Sequence, residues 1–313
     1  MTVKKIIVKK ILSDSEISDK EGTYFNHTHY STILKTDTDV YKENGELLLK
    51  FRKHVIPKKY TDTALQSFRK VARQKKNNRG AAAGRIDKAK LPNYVVEIYN
   101  ESGKKNNKYS THYISKNGKK SKNITTNLAA SNIVGFYDRP DRNINQDGNA
   151  PRCRQTAFTR DNEQLWKNAV PFIEHINELF KNLVPERHHR QYVRAQETPN
   201  FAITDTCFST LTVNYSWQTA THKDSGDFKE GFGNLVVIED FENPNSYEGC
   251  YTGFPQYGVC VDVRTGDFLA MDVHEWHCNT EFQSTNPKIT DDFNRLSVVC
   301  YLRNNMIKCK DME

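Results

Sequence analysis

The apolar positions of the chain follow a helical period in two stretches before residue 184 and mostly alternate after residue 210. In residues 61–74 (TDTALQSFRKVARQ), Leu65, Phe68 and Val71 or Ala72 fall on one helical face, and Thr61 stands where a capping hydroxyl is expected. Residues 161–183 repeat the pattern with Leu165, Ala169, Ile173, Ile176, Phe180 and Leu183, and Pro171 predicts a kink there or the start of a second helix. Farther on, Leu211, Val213, Tyr215 and Trp217 alternate, and residues 234–238, 258–263, 268–271 and 296–302 read as further short strands. Gly, Asn and Pro clusters separate them, which predicts a sandwich or jelly roll.

Two earlier runs, 94–99 and 132–137, are also strand-like. Between them, residues 101–122 carry seven lysines with Gly103, Gly118 and several asparagines, and read as a hairpin or mobile loop. Residues 1–50 show no sustained period and read as a polar, partly ordered extension. The expected division is therefore an extension at 1–60, a basic helix and hairpin region at 61–150, and a catalytic region at 151–313.

Composition narrows the class. Of 313 residues 36% are hydrophobic, no stretch approaches a membrane span, and lysines interrupt the amino-terminal run MTVKKIIVKKIL. Neither a membrane partner nor secretion is expected. The seven cysteines, 153, 207, 250, 260, 278, 300 and 309, form no CxxC pair and are odd in number. That suits free thiols in a reducing intracellular compartment, nucleus or cytoplasm, and disfavours a zinc ribbon.

The net charge of +8 is unevenly placed. Lys and Arg against Asp and Glu number 8 and 8 in residues 1–50, 20 and 4 in residues 51–130, and 16 and 23 in residues 151–313. The block at 51–130 is either a phosphate-binding surface or a solvated face.

The chemistry concentrates in the strand-rich half. THKDSGDFKEGFG (221–233) follows an alternating strand and sets His222 and Asp224 two positions apart, a spacing that points both side chains the same way on an extended chain. GDFLAMDVHEWHCNTE (266–281) offers His274 or His277 as a third ligand. Two histidines and one carboxylate on one face of an iron leave three positions open, the arrangement of non-haem Fe(II) oxygenases. Arg295, at the start of the buried-looking strand NRLSVVCYL, is placed to form a forked pair with the carboxylate of a small molecule.

With this order of motifs the chain resembles the TET/JBP family of Fe(II)/2-oxoglutarate dioxygenases, and the base J-binding protein and phage or fungal branch more than the animal one. The likeness is carried by STLTVNYSWQTATHKDSGDFKEGFGNLVVIED (209–240), GDFLAMDVHEWHCNTEF (266–282) and NRLSVVCYLR (294–303), and more weakly by RGAAAG (79–84) and SNIVGFYDR (131–139). It covers about residues 75–305. The resemblance implies an α+β fold with a double-stranded β-helix core buttressed by helices. It implies His222, Asp224 and His277 as iron ligands, with His274 a neighbour. Arg295 would hold the distal carboxylate of 2-oxoglutarate, with Ser297 assisting. Asp227, Gly231 and Gly233 fit the loop after the metal pair, the glycines for backbone geometry.

Fe(II), 2-oxoglutarate and O2 are the implied cofactors, with ascorbate as reductant. The implied reaction hydroxylates the 5-methyl group of thymine or 5-methylcytosine in nucleic acid, DNA before RNA, on a base flipped out or already single-stranded. Residues 51–130 would grip phosphates. The chain carries no cysteine-rich zinc segment of the animal kind, and no part of it reads as a separate J-base-binding module. Two other readings share the same residues: a prolyl or lysyl hydroxylase acting on protein, and a catalytically silent nucleic-acid-binding module.

Overall fold

The computed structural model describes residues 2–99, 108–139, 152–239, 246–285 and 294–310. Its amino-terminal part carries β1 (Lys4–Val8), α1 (Asp14–Asp19), β2 (Thr32–Leu34), β3 (Thr38–Lys42) and β4 (Leu47–Arg52). Next come α2 (Lys58–Ala72), β5 (Lys75–Lys76), β6 (Val95–Tyr99), β7 (His112–Ser115), β8 (Ala129–Asp138) and β9 (Cys153–Gln155). Helices α3 (Ala157–Asp161), α4 (Glu163–Leu183) and α5 (Pro185–Ala195) precede β10 (Thr210–Tyr215), β11 (Gly233–Glu239), β12 (Tyr247–Gly249) and β13 (Thr252–Phe254). The chain closes with β14 (Val259–Val261), β15 (Phe268–Met271), β16 (Cys278–Asn279), β17 (Phe282–Ser284) and β18 (Arg295–Tyr301).

A 10-stranded sheet runs β1-β3-β4-β15-β11-β18-β10-β8-β5, with β9 on β8, and a 4-stranded sheet runs β16-β13-β14-β2. The alternation of each strand decides which layer a side chain joins. On β11, Val236 and Ile238 enter a core with Phe68 of α2 and Phe172, Ile176 and Phe180 of α4. Leu235 and Val237 instead meet Phe254, Val259 and Val261 of the small sheet. The large sheet is thus covered by helices on one face and by the small sheet on the other, which is the helix-buttressed double-stranded β-helix. Strands buried on both faces read as continuous apolar runs, and β11 is buried at every position. On β18, Leu296, Val298 and Cys300 take the helix side. Arg295, Ser297, Val299 and Tyr301 are left for the space between the layers.

Several expectations need correction. Helix α2 begins one turn early, at Lys58 after Pro57, and Thr61 lies inside it with its hydroxyl donating to Lys58 O at 2.9 Å. Pro171 does not begin a second helix, since α4 runs through it unbroken to Leu183. An interior proline costs about 3 kcal/mol. Phe172, Ile173, Ile176 and Phe180 after it are all fully buried on the same core as Ala169 before it, and each large side chain contributes about 1.5–3 kcal/mol, so docking outweighs the lost bond.

The polar segment before residue 60 supplies three strands of the large sheet and one of the small, and Leu34, Val40, Leu48, Leu49 and Phe51 enter the core. Cys153 and Cys309 are a disulfide and not free thiols, while Cys207, Cys250, Cys260, Cys278 and Cys300 are free and buried. The carboxy-terminal turn lies against β9 there, with a Cα separation of 6.1 Å across 156 residues of sequence, a proximity that spacing could not reveal. Of the lysine-rich stretch, residues 101–107, with Lys104 and Lys105, lie outside the described residues. The remainder bears β7, which pairs with β6 as a hairpin. Among the described residues no helix is long and apolar enough to cross a membrane.

Candidate active site

His222 and Asp224 follow β10 after a short crossing segment and lie against the turn that follows β15. His222 and His277 exchange backbone hydrogen bonds, N to O at 3.0 Å in both directions, and Asp224 N donates to Val273 O at 3.0 Å. This local antiparallel pairing, outside the regular strands, brings the three predicted ligands together. One ligand atom from each of His222, Asp224 and His277 lies within 4.8 Å of the other two. His222 Nε2 is 3.5 Å from Asp224 Oδ1, and His277 Nε2 is 3.4 Å from Oδ2.

Both rings are oriented by backbone carbonyls. His222 Nδ1–H donates to Ala220 O at 2.7 Å and His277 Nδ1–H to Glu275 O at 3.0 Å. That geometry assigns the proton to Nδ1 and turns each Nε2 lone pair toward Asp224, as a metal-binding imidazole requires. The Glu275 side chain is in turn held by Lys42 at 2.9 Å, a residue of β3. Burial, with His277 beside it, pushes the His222 imidazole down to about 4, so it is neutral near pH 7. Burial alone would raise the Asp224 carboxyl, but the two imidazoles beside it, His277 first, hold it below the ordinary value. Burial disfavours the charged form of His277 as well, and Asp224 reverses that into a net upward shift.

The three side chains line a cavity of about 420 Å³ with Arg79, Asn214, Arg295 and Ser297 along other parts of its wall. Arg295 is 2% exposed, and its Nε and Nη2 have no hydrogen-bond partner among the described residues. Ser297 Oγ accepts from Asn214 Nδ2 at 3.3 Å. Unpaired guanidinium N–H groups buried in a cavity are costly unless an anion fills it. A small dicarboxylate meets that need, so the residues present fit both an iron and 2-oxoglutarate.

His274 stands apart from this wall, with Nε2 3.3 Å from Asp227 O and Nδ1 3.5 Å from Asp272. Asp227 lines the cavity, and its carboxyl is raised well above the usual range by burial and by Asp224. Gly231 and Gly233 are not in the left-handed region. Their role is close approach, since a Cβ at Gly233 would overlap Val273 and one at Gly231 would overlap Gln191. Arg79 and Ala82 of the weak RGAAAG motif reach the cavity, as does Trp217, which lies beyond the end of β10 and not on its core face as the alternation predicted, and as do Thr212, Tyr301 and Arg303, which sequence reasoning did not single out. For Thr212, Asn214 and Tyr301 the signal was available: they alternate with the core residues of β10 and β18.

A double-stranded β-helix with two histidines and a carboxylate at its mouth is the form of a 2-oxoglutarate oxygenase domain. The chain belongs to the Tet_JBP family, described as the oxygenase domain of the 2OGFeDO superfamily, whose family model matches residues 135–304. It is 35% identical over 173 residues to thymine dioxygenase JBP1-B of Trypanosoma cruzi, which covers 55% of this chain and 19% of that protein. It is likewise 35% identical over 178 residues to the bifunctional helicase and thymine dioxygenase JBP2 of Leishmania tarentolae, covering 56% and 14%. The matched region thus spans less than a fifth of either relative. A solved structure of NgTET1 in complex with 5mC DNA aligns with a TM-score of 0.49 and 12% identity, over 96% of this chain and 83% of the other.

Proposed function

We propose that the protein is an Fe(II)/2-oxoglutarate-dependent dioxygenase that hydroxylates the 5-methyl group of a pyrimidine base in DNA, thymine before 5-methylcytosine. The carrying observation is the His222, Asp224 and His277 cluster opening on the same cavity as the unpartnered Arg295 guanidinium. His222 Nε2, His277 Nε2 and an Asp224 oxygen would hold the iron. Arg295 would hold the distal carboxylate of 2-oxoglutarate through its paired N–H groups, with Ser297 beside it. Iron, 2-oxoglutarate and O2 together supply the oxidising power to convert an unreactive C–H bond to an alcohol, with succinate and CO2 as co-products, and ascorbate keeps the iron reduced.

The chain's own contribution is orientation and exclusion. The Ala220 and Glu275 carbonyls fix the imidazoles, and Leu235, Met271 and Val299 give the cavity an apolar side that keeps water from the co-substrate. A methyl group inside a duplex does not reach a cavity of this kind, so the base is flipped out or already unpaired. The names of the relatives favour thymine, and the 20 to 4 excess of basic residues in 51–130 supports a polyanionic substrate gripped from that side. On this reading the protein acts where DNA lies, in nucleus or cytoplasm.

The test is nucleoside mass spectrometry of thymine-rich DNA, methylcytosine-containing DNA and RNA after incubation with Fe(II), ascorbate and 2-oxoglutarate, with His222→Ala as control. A hydroxymethyl pyrimidine absent from the control is expected. Succinate formation that proceeds without any altered base and is stimulated by a peptide would move the assignment to a protein hydroxylase.

A further inference from the structure

The β6 and β7 strands pair only with each other, as a ribbon separate from both large sheets. Ile98 and Tyr113 are register partners and so share a face. The Tyr94 ring meets Tyr113 with centroids 5.3 Å apart, and a bulge interrupts the alternation at Val96. Tyr94 and Ile98 are 40% and 38% exposed and Val96 at the bulge is 45% exposed, so the apolar residues of the ribbon are uncovered. On the other side Tyr99 stacks on His112 at 5.5 Å, with Lys120 Nζ 5.4 Å over the Tyr99 ring. Lys116, Lys119, Lys120 and Lys122 are exposed in and just after the turn that follows β7, where Lys116 N donates to Tyr94 O, and no acid pairs with them among the described residues.

The base of this ribbon is fastened to the wall of the cavity. Thr111 and Thr125 pair below it, and Asn127, two residues on, donates through Nδ2 to the carbonyls of Ala83, Gly84 and Arg85. The same segment turns Arg79 and Ala82 into the cavity, and Ala82 O accepts from Ala220 N, two residues before His222. The ribbon therefore stands beside the mouth of the site.

Aromatic and aliphatic faces with unneutralised lysines around them do not suit an ordinary protein partner, because lysine is depleted in the core of such interfaces. They suit a strand whose bases offer apolar faces and whose phosphates offer charge. Resting on the reading of the site as a nucleic-acid oxygenase, we propose that β6–β7 is a clamp for unpaired nucleotides beside the reacting one. Tyr94 and Tyr113 stack on bases, and Lys116, Lys119 and Lys120 hold phosphates.

Anisotropy of the full chain with a labelled single-stranded thymine-rich oligonucleotide, titrated at several salt concentrations, tests this. For single strands each phosphate contact contributes about 0.7 to the slope of log K against log salt, so Lys116→Ala/Lys119→Ala/Lys120→Ala should lower that slope by about 2. Tyr94→Ser/Tyr113→Ser should weaken binding by about tenfold or more with the slope unchanged. Both variants should keep the wild-type rate of substrate-independent succinate formation, because neither touches the cavity. If the wild type binds the oligonucleotide and both variants match its affinity and slope, the clamp is wrong and the oxygenase reading stands. If the wild type turns over 2-oxoglutarate but binds no oligonucleotide, the nucleic-acid reading itself is wrong. Binding to phosphatidylserine vesicles that the lysine variant loses, with oligonucleotide binding untouched, would overturn the clamp in favour of a lipid surface.

Discussion

Glu239 and Arg295 are register partners on β11 and β18, yet it is Arg264 that takes the Glu239 carboxylate, at 3.1 Å, while Arg295 Nε and Nη2 have no partner among the described residues. The nearest internal acid is thus already engaged, and the Arg295 guanidinium is left for a ligand. Arg264 also holds Asp262 at 2.6 Å, so its place is fixed from two sides.

Arg295→Met is therefore expected to raise the 2-oxoglutarate requirement. A hydrogen bond to a charged group contributes about 1.5–3 kcal/mol, so two of them predict an apparent KM higher by about 100-fold or more. Arg295→Lys should recover only part of this, since an ammonium cannot reproduce the fork. Succinate formation against 2-oxoglutarate concentration is the measurement, and an unchanged KM would remove Arg295 from the site.

His277 and His274 are both in DVHEWH, and only His277 points its Nε2 at Asp224. Turnover should vanish in His222→Ala, Asp224→Ala and His277→Ala, whereas His274→Ala should keep at least half of the wild-type rate. Anaerobic Co(II) titration followed by visible absorption should show the same division. Turnover that survives His277→Ala and is lost with His274→Ala would reverse the assignment.

Lys42 offers a test of support from outside the residues that the family model matches. It bonds Glu46 at 2.6 Å and Glu275 at 2.9 Å, and the Glu275 carbonyl accepts the His277 Nδ1 proton. Partners that orient a metal ligand typically contribute about 10–100-fold in metal affinity. Lys42→Met should weaken Co(II) binding within that range while leaving the 2-oxoglutarate KM at saturating metal unchanged. Equal metal affinity would make Lys42 a purely structural ion-pair partner.

What was legible in the sequence follows from which residues act through local pattern. Arg295 opens a strand whose period-2 apolar face is plain, His222 and Asp224 were found from their spacing although β10 ends at Tyr215 before them, and β15 was placed at its observed bounds, Phe268–Met271. Helix α5 was missed because its buried positions include His188, Gln191 and Ala195, which make no apolar stripe. Of the strands before residue 60, β1 and β2 were missed because they are short and only Leu34 of them is buried, so that pairing with other segments stabilises them, whereas β4 carries an apolar run with four of its six residues buried inside the segment that reads as a polar extension. Arg79 reaches the cavity from far along the chain, held by its surroundings and by a long contact to Ser131 O at 3.4 Å, which no spacing rule anticipates.

His188 gives a stability prediction independent of the oxygenase site. Its Nε2 is 3.0 Å from Asn177 Oδ1, which also accepts from Cys207 N at 3.0 Å, so the ring helps tie α5 to α4 and to the segment before β10. Burial, with the charge of Lys181 nearby, lowers its pKa from the ordinary 6.5. Above that value the ring is neutral folded or unfolded and contributes no pH dependence. As pH falls below about 6.5 the unfolded chain takes up a proton that the folded chain still refuses, so stability falls toward the lower folded pKa. Buried His222, lowered to about 4, acts in the same direction, so the wild-type slope below pH 6.5 carries both residues. His188→Gln keeps a donor toward Asn177 and removes one titrating group. Urea unfolding at a series of pH values from 7.5 to 5.5 should give the variant a shallower loss of stability than the wild type by up to one proton. Parallel curves would show that His188 titrates alike in both states, and that burial does not hold it neutral.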